Sequence, residues 1–378
     1  MSIIYSSTIP ENNKSSYTEF DTVDFVLTFE NQSLQLGSLR LEGEVVVKQN
    51  SLNLNDPANV NKIIRYDKFV GMHGAIESIQ TNMLNENFEN LGEYSRLVKQ
   101  YAVGRNGVMD LFNASEVCEL KAPYDALTTA LLGGEEPRTN LAGANAINNP
   151  PDWSIKPDFI LNSSAALLPF ERAGPIRISF NLARVQAFLY GLDVDANTTY
   201  ELQNLRMVYK TIPHGDNSKP NTDPIVLRKR INIKQSIQST LANIQVKVPS
   251  DRVEAFSGSF QIQSQEFEYR YNNNDLEKIP NLRQLQFLFN DQTNAAVTYL
   301  IKNNDEVIDK FVKALGDNGH NACSVSNMIN NRGYGVGLRM DGGTIDLTNQ
   351  KFSVQIDSEI SNNKPLIFYM YFHVVVEI

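Results

Sequence analysis

The residue types that bind metal ions come closest together in the segment DNGHNAC. There Asp317, His320 and Cys323 follow one another at three-residue spacing. Carboxylate, imidazole and thiolate groups are all ligands of divalent metals such as zinc. A polar loop after the end of a helix would contain the same residues, and no second cluster of ligands accompanies them. These three residues are therefore the candidate metal ligands, while the sequence as a whole predicts no metal and no cofactor.

A glycine-rich segment, GYGVGLRMDGG, could in principle bind phosphate. It places Gly333, Gly335 and Gly337 at alternate positions. A P-loop needs a Lys-Ser/Thr pair after its last glycine, and a dinucleotide motif needs a strand before it and a helix after it. Neither context is present, so a bulged strand leading into an Asp341–Gly342 turn is the better interpretation.

The remaining polar residues form no catalytic signature. The chain has four histidines, and none lies in a nucleophile motif. The adjacent acids Glu135 and Glu136 are flanked by loop residues, so nothing singles them out as an acid–base pair. The basic run Arg228, Lys229, Arg230 and Lys234 could contact nucleic acid or acidic lipid, although such a run more often faces solvent or another subunit. We predict that the protein is not an enzyme, and a β-sandwich hydrolase is the least favoured alternative.

Composition and charge narrow the function classes further. The chain has 378 residues, a net charge of −9 and 42% hydrophobic residues. An acidic protein is poorly suited to sequence-specific nucleic-acid binding or to docking on anionic membranes. Cys118 and Cys323 form no disulfide framework, and the N-terminal residues lack the pattern of a signal peptide. We therefore expect the protein to be made and kept in a reducing compartment.

Alternating apolar and polar residues predict strands in the first half of the chain. In SLRLEGEVVV, Leu39, Leu41, Val45 and Val47 face one way and polar residues face the other. This is the period of a half-buried strand. Similar patterns predict strands at Asp24–Phe29, Ala75–Met83, Pro175–Leu182 and Tyr200–Ile212.

One amphipathic helix interrupts these strands, in NLGEYSRLVKQYAVG. Asn90 is expected to cap the helix, with Glu93 at the capping-box position and Gly104 at its end. Its apolar face consists of Tyr94, Leu97, Val98 and Tyr101.

The second half repeats this order of features. Strands are predicted at Ala242–Val248, Ser257–Tyr271 and Leu282–Phe289. A second amphipathic helix, Asp305–Gly316, follows, with Asp305 as its cap. Further strands are predicted in GYGVGLRM, in FSVQI and in the last apolar segment of the chain.

Polar and turn-forming residues indicate where the domains begin and end. Residues 1–18 predict an N-terminal arm, and residues 213–240, which contain PHGDNSKPNTDP, predict a linker. The first domain then covers residues 19–212, with a long loop excursion at about 105–172, and the second covers residues 241–378.

The last segment, PLIFYMYFHVVVEI, is the most apolar in the chain. It is too short to span a bilayer, and as an exposed edge strand it would promote aggregation. We predict a central closing strand with an amphipathic face, suited to a partner sheet or a subunit surface, opposite a wholly apolar face. The core residues on the apolar face are Phe368, Met370, Phe372, Val374 and Val376.

Many strands, two short helices and few βαβ patterns predict an all-β protein of antiparallel sandwiches. The order of features resembles the double jelly-roll major capsid proteins of tailless icosahedral DNA viruses, the lineage of tectiviruses, adenoviruses, virophages and polinton-like viruses. The resemblance rests on GSLRLEGEVVV, GAIESIQTNMLNENFENLGEYSRLVKQY, TYELQNLRMVYKTIP, YLIKNNDEVIDKFVKALG and KPLIFYMYFHVVVEI, and it spans most of residues 18–378.

The resemblance implies two antiparallel eight-stranded jelly-roll sandwiches side by side, each with a short flanking helix. It further implies a homotrimer that forms a pseudo-hexagonal capsomer and tiles an icosahedral shell around the genome. Expected partners are neighbouring capsomers, penton or minor capsid proteins and, in some members, an inner membrane. The expected location is the virion, after assembly in the host cytoplasm or nucleus.

The same sequence patterns also fit a different function. A carbohydrate- or receptor-binding β-sandwich protein, such as a spike or a lectin-like module, would also have many strands and long loops. Trp153, beside Pro150 and Pro151, could line a sugar site. The alternative for Trp153 is a loop residue that packs on the sandwich.

Overall fold

A computed structural model describes residues 3–59, 61–104, 141–142, 152–214, 223–290, 304–316, 328, 332–340, 343–360 and 364–378. Asp317, His320, Cys323, Cys118, Glu135, Glu136 and the Asp341–Gly342 turn lie outside these ranges. The named strands pair antiparallel throughout. This agrees with the all-β prediction.

The first half of the chain contains strands in the following order: β1 (Ile4–Thr8), β2 (Ser16–Tyr17), β3 (Thr22–Leu27), β4 (Gln32–Gln35), β5 (Arg40–Gln49), β6 (Leu52–Asn53), β7 (Arg65–Tyr66), β8 (Ile76–Met83), β9 (Glu86–Leu91), β10 (Asp152–Ile155), β11 (Leu167–Pro169), β12 (Ile176–Leu182), β13 (Leu189–Tyr190) and β14 (Thr198–Pro213). The second half contains β15 (Val226–Ile237), β16 (Leu241–Lys247), β17 (Val253–Ile262), β18 (Gln284–Phe289), β19 (Gly335–Arg339), β20 (Lys351–Asp357) and β21 (Leu366–Glu377).

The helices are α1 (Tyr94–Gly104), α2 (Phe170–Ala173), α3 (Val185–Phe188) and α4 (Asn304–Ala314). Short 3-10 turns occur at Pro57–Asn59, Gly71–Ala75, Ile160–Asn162 and Gln263–Gln265. Of the helices in the described ranges, α1 and α4 are the two long enough to pack against a sheet. They occupy the two predicted helix positions, one in each half of the chain.

Two large sheets form the first sandwich. Sheet 1 has the order β10-β5-β14-β4-β11, with β1 and β2 also paired to β14 and β6 paired to β5. Sheet 2 has the order β3-β12-β8-β9. Alternate residues of both sheets point into a shared core, as period-two patterning predicts. Phe25 and Phe180 meet edge-to-face there, with ring centroids 6.0 Å apart.

The second sandwich pairs sheet 3, with the order β15-β21-β17-β19, with sheet 4, with the order β16-β20-β18. Its core is an aromatic cluster around Phe256, whose ring centroid lies 5.1 Å from Phe352, 5.3 Å from Phe372 and 5.6 Å from Phe287. Such contacts stabilise beyond the apolar area that they bury. Within the described ranges this sandwich has seven strands in its two sheets.

Two segments predicted to lie outside the cores are strands instead. Ile4–Thr8 in the N-terminal arm pairs with β14. Val226–Ile237, within the predicted linker, pairs with β21 along its whole length. The patterning missed both, because the β1 side chains are largely exposed and β15 carries charged residues at positions that contact the first sandwich.

Three local predictions also needed correction. Asn90 lies inside strand β9 and therefore does not cap α1, which begins at Tyr94. Helix α4 begins at Asn304, so Asp305 lies in its first turn, and Gly316 follows the helix with a φ of +87°. The strand predicted at Ser257–Tyr271 ends at Ile262, since the chain then turns and Phe267 adopts a left-handed φ of +58°.

Candidate functional site at the junction of the two sandwiches

The closing strand β21 is a wall between the two halves of the molecule. One face packs into the second core, where Phe368, Met370 and Phe372 are fully buried and Val374 is 2% exposed. Val376, nearer the end, is only partly buried against the core. The opposite face is buried as well, with Tyr369, Tyr371 and His373 at most 5% exposed. The predicted partner surface for this amphipathic face is therefore within the same chain.

Helix α1 covers the second face of β21. All of its residues are buried, including the polar Arg96, Lys99 and Gln100. The Tyr371 hydroxyl donates to the Glu93 carbonyl oxygen just before the helix, at 2.6 Å. The Tyr101 hydroxyl lies 3.2 Å from His373 Nδ1. These contacts join a helix of the first half to the closing strand of the second.

Polar residues of β17 lie beside β21 and bind the same helix. Gln100 Nε2 donates to Ser259 Oγ at 2.9 Å, and Arg96 donates to Gln261 Oε1 at 2.8 Å. Ser257 Oγ lies 3.0 Å from His373 Nε2. A buried polar group is costly unless it is hydrogen-bonded, so these pairs hold α1 at a defined position on sheet 3.

Arg96 illustrates how a buried charge is stabilised at this junction. Its guanidinium carbon lies 4.0 Å from the Tyr369 ring centroid, and the group forms an ion pair with Glu93. Burial lowers the pKa of Arg96, but electrostatic interactions with Tyr369 and with the Glu93 carboxylate outweigh burial and raise it above its ordinary value. The side chain therefore remains charged although it is only 1% exposed.

A second buried ion pair joins α1 to Asp67, which lies after β7 and before the 3-10 turn Gly71–Ala75. Lys99 Nζ lies 2.6 Å from Asp67 Oδ2, and both side chains are at most 2% exposed. Asp67 also accepts hydrogen bonds from the backbone N–H groups of Phe69 and Val70 and, at 2.6 Å, from Asn272 Nδ2. Because Asn272 belongs to the second half, this cluster is another link across the junction.

Side chains of the first half also satisfy the open edge of strand β15. Ser163 Oγ accepts the N–H of Arg228 at 2.8 Å, and Glu89 Oε1 accepts the N–H of Arg230 at 2.9 Å. The other Glu89 oxygen accepts the N–H of Ile160 at 2.7 Å. Free N–H groups on an edge strand invite pairing with another chain. In this chain, side chains of the first half accept hydrogen bonds from two of these N–H groups.

Glu89 occupies an unfavourable place for a charge. The residue is 2% exposed, and burial raises its pKa to about 7, although the Arg230 guanidinium and the two N–H bonds oppose this shift. Arg230 itself is 5% exposed and forms an ion pair with Asp158 at 2.8 Å. The charge of Glu89 therefore depends on pH near neutrality.

The glycines of GYGVGLRMDGG have a packing role. A Cβ at Gly337 would lie 2.7 Å from the Cβ of Ala314, and one at Gly335 would overlap the Phe311 ring. Helix α4 therefore lies directly on β19, and its Leu315 end contacts Gly104 of α1 in the same way. The two helices share one face of sheet 3. Within the described residues this segment is a regular strand with no phosphate loop, and it is not a bulged strand.

The other candidate residues have structural partners. Trp153 is 5% exposed and packs on Gly43 of β5, which leaves the sugar-site alternative without an accessible indole. Arg228 pairs with Glu254, and Lys234 pairs with Glu93 and Glu266, so the basic run is engaged within the chain. Across the described residues, no group of acids, histidines and cysteines could hold a metal, and no helix is long and apolar enough to cross a membrane.

Sequence reasoning missed most of the junction. Ser257, Ser259 and Gln261 alternate with apolar residues, as on a strand with a solvent-facing side, yet they are at most 1% exposed. Arg96, Lys99 and Gln100 likewise occupy the polar side of an amphipathic helix pattern. The sequence contained one signal for this contact. The polar side chains of the strand and those of the helix are able to hydrogen-bond to each other.

Comparison with known proteins places this architecture in a structural group. The sequence matches no protein-family model and no curated protein. The Faustovirus major capsid protein superposes with a TM-score of 0.59 at 8% identity, over 100% of this chain and 90% of that chain. The mavirus major capsid protein gives a TM-score of 0.52 at 8% identity, over 98% and 86%. The STIV major capsid protein gives 0.51 at 8% identity, over 99% and 96%. The chain therefore has the fold of the double jelly-roll viral major capsid proteins.

Proposed function

We propose that this chain is a viral major capsid protein that trimerises into pseudo-hexagonal capsomers and tiles an icosahedral shell around a genome. The observation that carries the proposal is the extent of the structural likeness. The superposition on the Faustovirus major capsid protein extends over 100% of this chain and 90% of that chain, with a TM-score of 0.59. A shared fold alone does not determine function. The case therefore also rests on features of the junction and the surface.

The junction supports a role as a rigid building block. Arg96, Lys99 and Gln100 bind residues of the second half or of the segment between β7 and β8, and the edge of β15 is occupied by Ser163 and Glu89. Most single-chain domain interfaces allow relative motion. A junction held by buried, directional bonds instead fixes the angle between the sandwiches, which a repeating lattice requires.

The surface leaves room for contacts between copies. Among the described residues, five large apolar side chains on separate loops and strands are about 70% exposed, namely Tyr5, Phe20, Leu52, Leu192 and Leu241 at 70%, 68%, 67%, 71% and 72%. A trimer with cyclic symmetry uses two different surfaces of each copy. We propose that the partners are further copies of the chain, then neighbouring capsomers and penton or minor capsid proteins, and that the protein is located in the virion after assembly in the host cytoplasm or nucleus.

We also propose that the chain divides into two jelly rolls between β14 and β15. Strand β14 closes the first sandwich at Pro213, and β15 begins the second at Val226. The segment between these strands then serves as the connection. This boundary lies near the start of the linker expected from the sequence and assigns Val226–Ile237 to the second jelly roll.

Size-exclusion chromatography with light scattering tests the proposal. We expect a mass three times that of the 42.5 kDa chain, unchanged over a hundredfold dilution. A capsomer that persists in a shell needs a large interface, so its dissociation should be slow. A clean monomer at high concentration would contradict the proposal.

A further inference from the structure

A polar cleft of about 330 Å³ lies where the two sandwiches and the end of helix α4 meet. We define this junction cleft by Arg230, His373, Ala255 and Arg339 of sheet 3, with Asp158 of the first half opposite them. The C-terminal end of α4 closes another side through Ala314, Leu315 and Gly316. None of the functions considered above uses this cleft.

Strand register explains why cationic groups border it. Arg230 lies opposite His373, His373 lies opposite Ala255, and Ala255 lies opposite Arg339. The four residues thus form one row across β15, β21, β17 and β19. Opposed residues in such a row lie about 5 Å apart and project from the same face. Because the third residue of the row is alanine, its small side chain leaves space between the larger side chains of His373 and Arg339.

The charges around the cleft leave one guanidinium without a counter-charge. Arg228 pairs with Glu254 and Arg230 pairs with Asp158, each at 2.8 Å, so both carboxylates of the cleft are engaged. Arg339 is exposed at the rim and forms no ion pair within the described part of the chain. The His373 ring is hydrogen-bonded at both nitrogens, to Tyr101 and to Ser257.

A second and independent observation concerns Arg230. Its side chain is only 5% exposed, yet its Nε–H has no hydrogen-bond partner among the residues that the structure describes. Buried N–H groups of this kind are rare in folded proteins and need an acceptor from water or a ligand. Arg230 lines the cleft, so an acceptor bound there could satisfy the group.

We propose that the junction cleft is a binding site for a small tetrahedral oxyanion of the phosphate class. Arg339 supplies the unpaired charge, and Arg230 supplies the donor that lacks an acceptor. Guanidinium groups match the geometry of phosphate oxygens, and charge-assisted bonds of this type are stronger than neutral ones. The ligand would contact sheet 3 and the end of α4 in the second half of the chain, and Asp158 in the first half. It would therefore link the two halves. This inference does not depend on the proposed capsid role.

Titration of inorganic phosphate into the full-length protein, at constant ionic strength and followed by calorimetry and thermal unfolding, tests the proposal. We expect saturable binding and a rise in Tm that chloride does not reproduce. Arg339→Gln should weaken phosphate binding roughly tenfold or more, since it removes a charge-assisted contact. Arg283→Gln is the matched control, because Arg283 is an exposed arginine that pairs with Asp357 outside the cleft.

Three results would overturn the site. The first is the absence of saturable phosphate binding to the unaltered protein. The second is equal phosphate binding by the Arg339→Gln and Arg283→Gln variants. The third is weaker self-association of Arg339→Gln with no phosphate effect in any variant, which would assign Arg339 to a contact between copies.

Discussion

The two strands that close the sandwiches, β14 and β21, occupy equivalent central places but have different second faces. Strand β14 lies between β5 and β4, and β21 lies between β15 and β17. Each buries one apolar face in its own core. On the other face of β14, Glu201, Arg206 and Lys210 reach solvent at least in part. On the other face of β21, Tyr369, Tyr371 and His373 are almost fully buried.

The difference shows that the face of a strand can be buried at a junction within one chain and still be polar. Hydroxyl and imidazole groups can be satisfied by a few fixed partners, whereas an unpaired buried charge is far more costly. The β21 face accordingly presents hydroxyl and imidazole groups to α1, while β14 presents charged side chains to water. Loss of strand β21 should therefore disrupt both the second core and the junction.

The largest effect is expected from deleting Pro365–Ile378. This deletion removes the strand that pairs with both β15 and β17, so the second sandwich loses its central hydrogen-bonded strand. We expect the truncated chain to be insoluble or to show no cooperative unfolding by circular dichroism. Deletion of residues 1–9, which removes only the peripheral strand β1, is the control and should leave a cooperative transition. A cooperatively folded C-terminal truncation would contradict the assignment of β21.

A smaller but still large decrease in the free energy of unfolding is expected from Phe372→Ala on the apolar face of β21. The ring is fully buried and lies 5.3 Å from Phe256 and 5.4 Å from Phe352, centroid to centroid. Removing it leaves a cavity, at a cost of about 3–5 kcal/mol. Chemical denaturation should show this decrease in the free energy of unfolding. Lys210→Ala on the exposed face of β14 should change it by less than about 0.5 kcal/mol.

Glu89 should make stability depend on pH at the junction. Its pKa is about 7 in the folded protein and near the ordinary value of 4.5 in the unfolded chain. Between these values the folded state holds a proton that the unfolded state has lost, so stability falls as pH rises from 4.5 to 7. Denaturation across this range should show a shallower fall for Glu89→Gln, even if that variant is less stable throughout. An unchanged slope would show that Glu89 is not the group responsible.

The smallest predicted effect comes from one hydroxyl group on the buried second face of β21. Tyr371→Phe removes a buried bond to the Glu93 carbonyl oxygen and should cost about 1 kcal/mol. Tyr209→Phe on β14 is the matched control, because the Tyr209 ring is buried but its hydroxyl forms no hydrogen bond within the described residues. Equal stability of the two variants in urea denaturation would show that the hydrogen bond of the Tyr371 hydroxyl adds no stability.

The sequence predicted the apolar face of β21 because period-two patterning reports burial in a core directly. It did not predict that Tyr369, Tyr371 and His373 are buried too, since an amphipathic face on one strand does not reveal what covers it. Ser257 and Ser259 were missed for the same reason. The capping error at Asn90 arose because a capping-box pattern is local, whereas the pairing that keeps Asn90 in β9 is with the distant residue Gln80.

The proposed role of the chain as a self-assembling building block of a capsid predicts a particular shape for the purified protein. Negative-stain electron microscopy of the purified full-length protein tests it most directly. We expect class averages with threefold symmetry and a six-lobed outline, one lobe for each sandwich of three copies. Uniform two-lobed single particles at every concentration would contradict it.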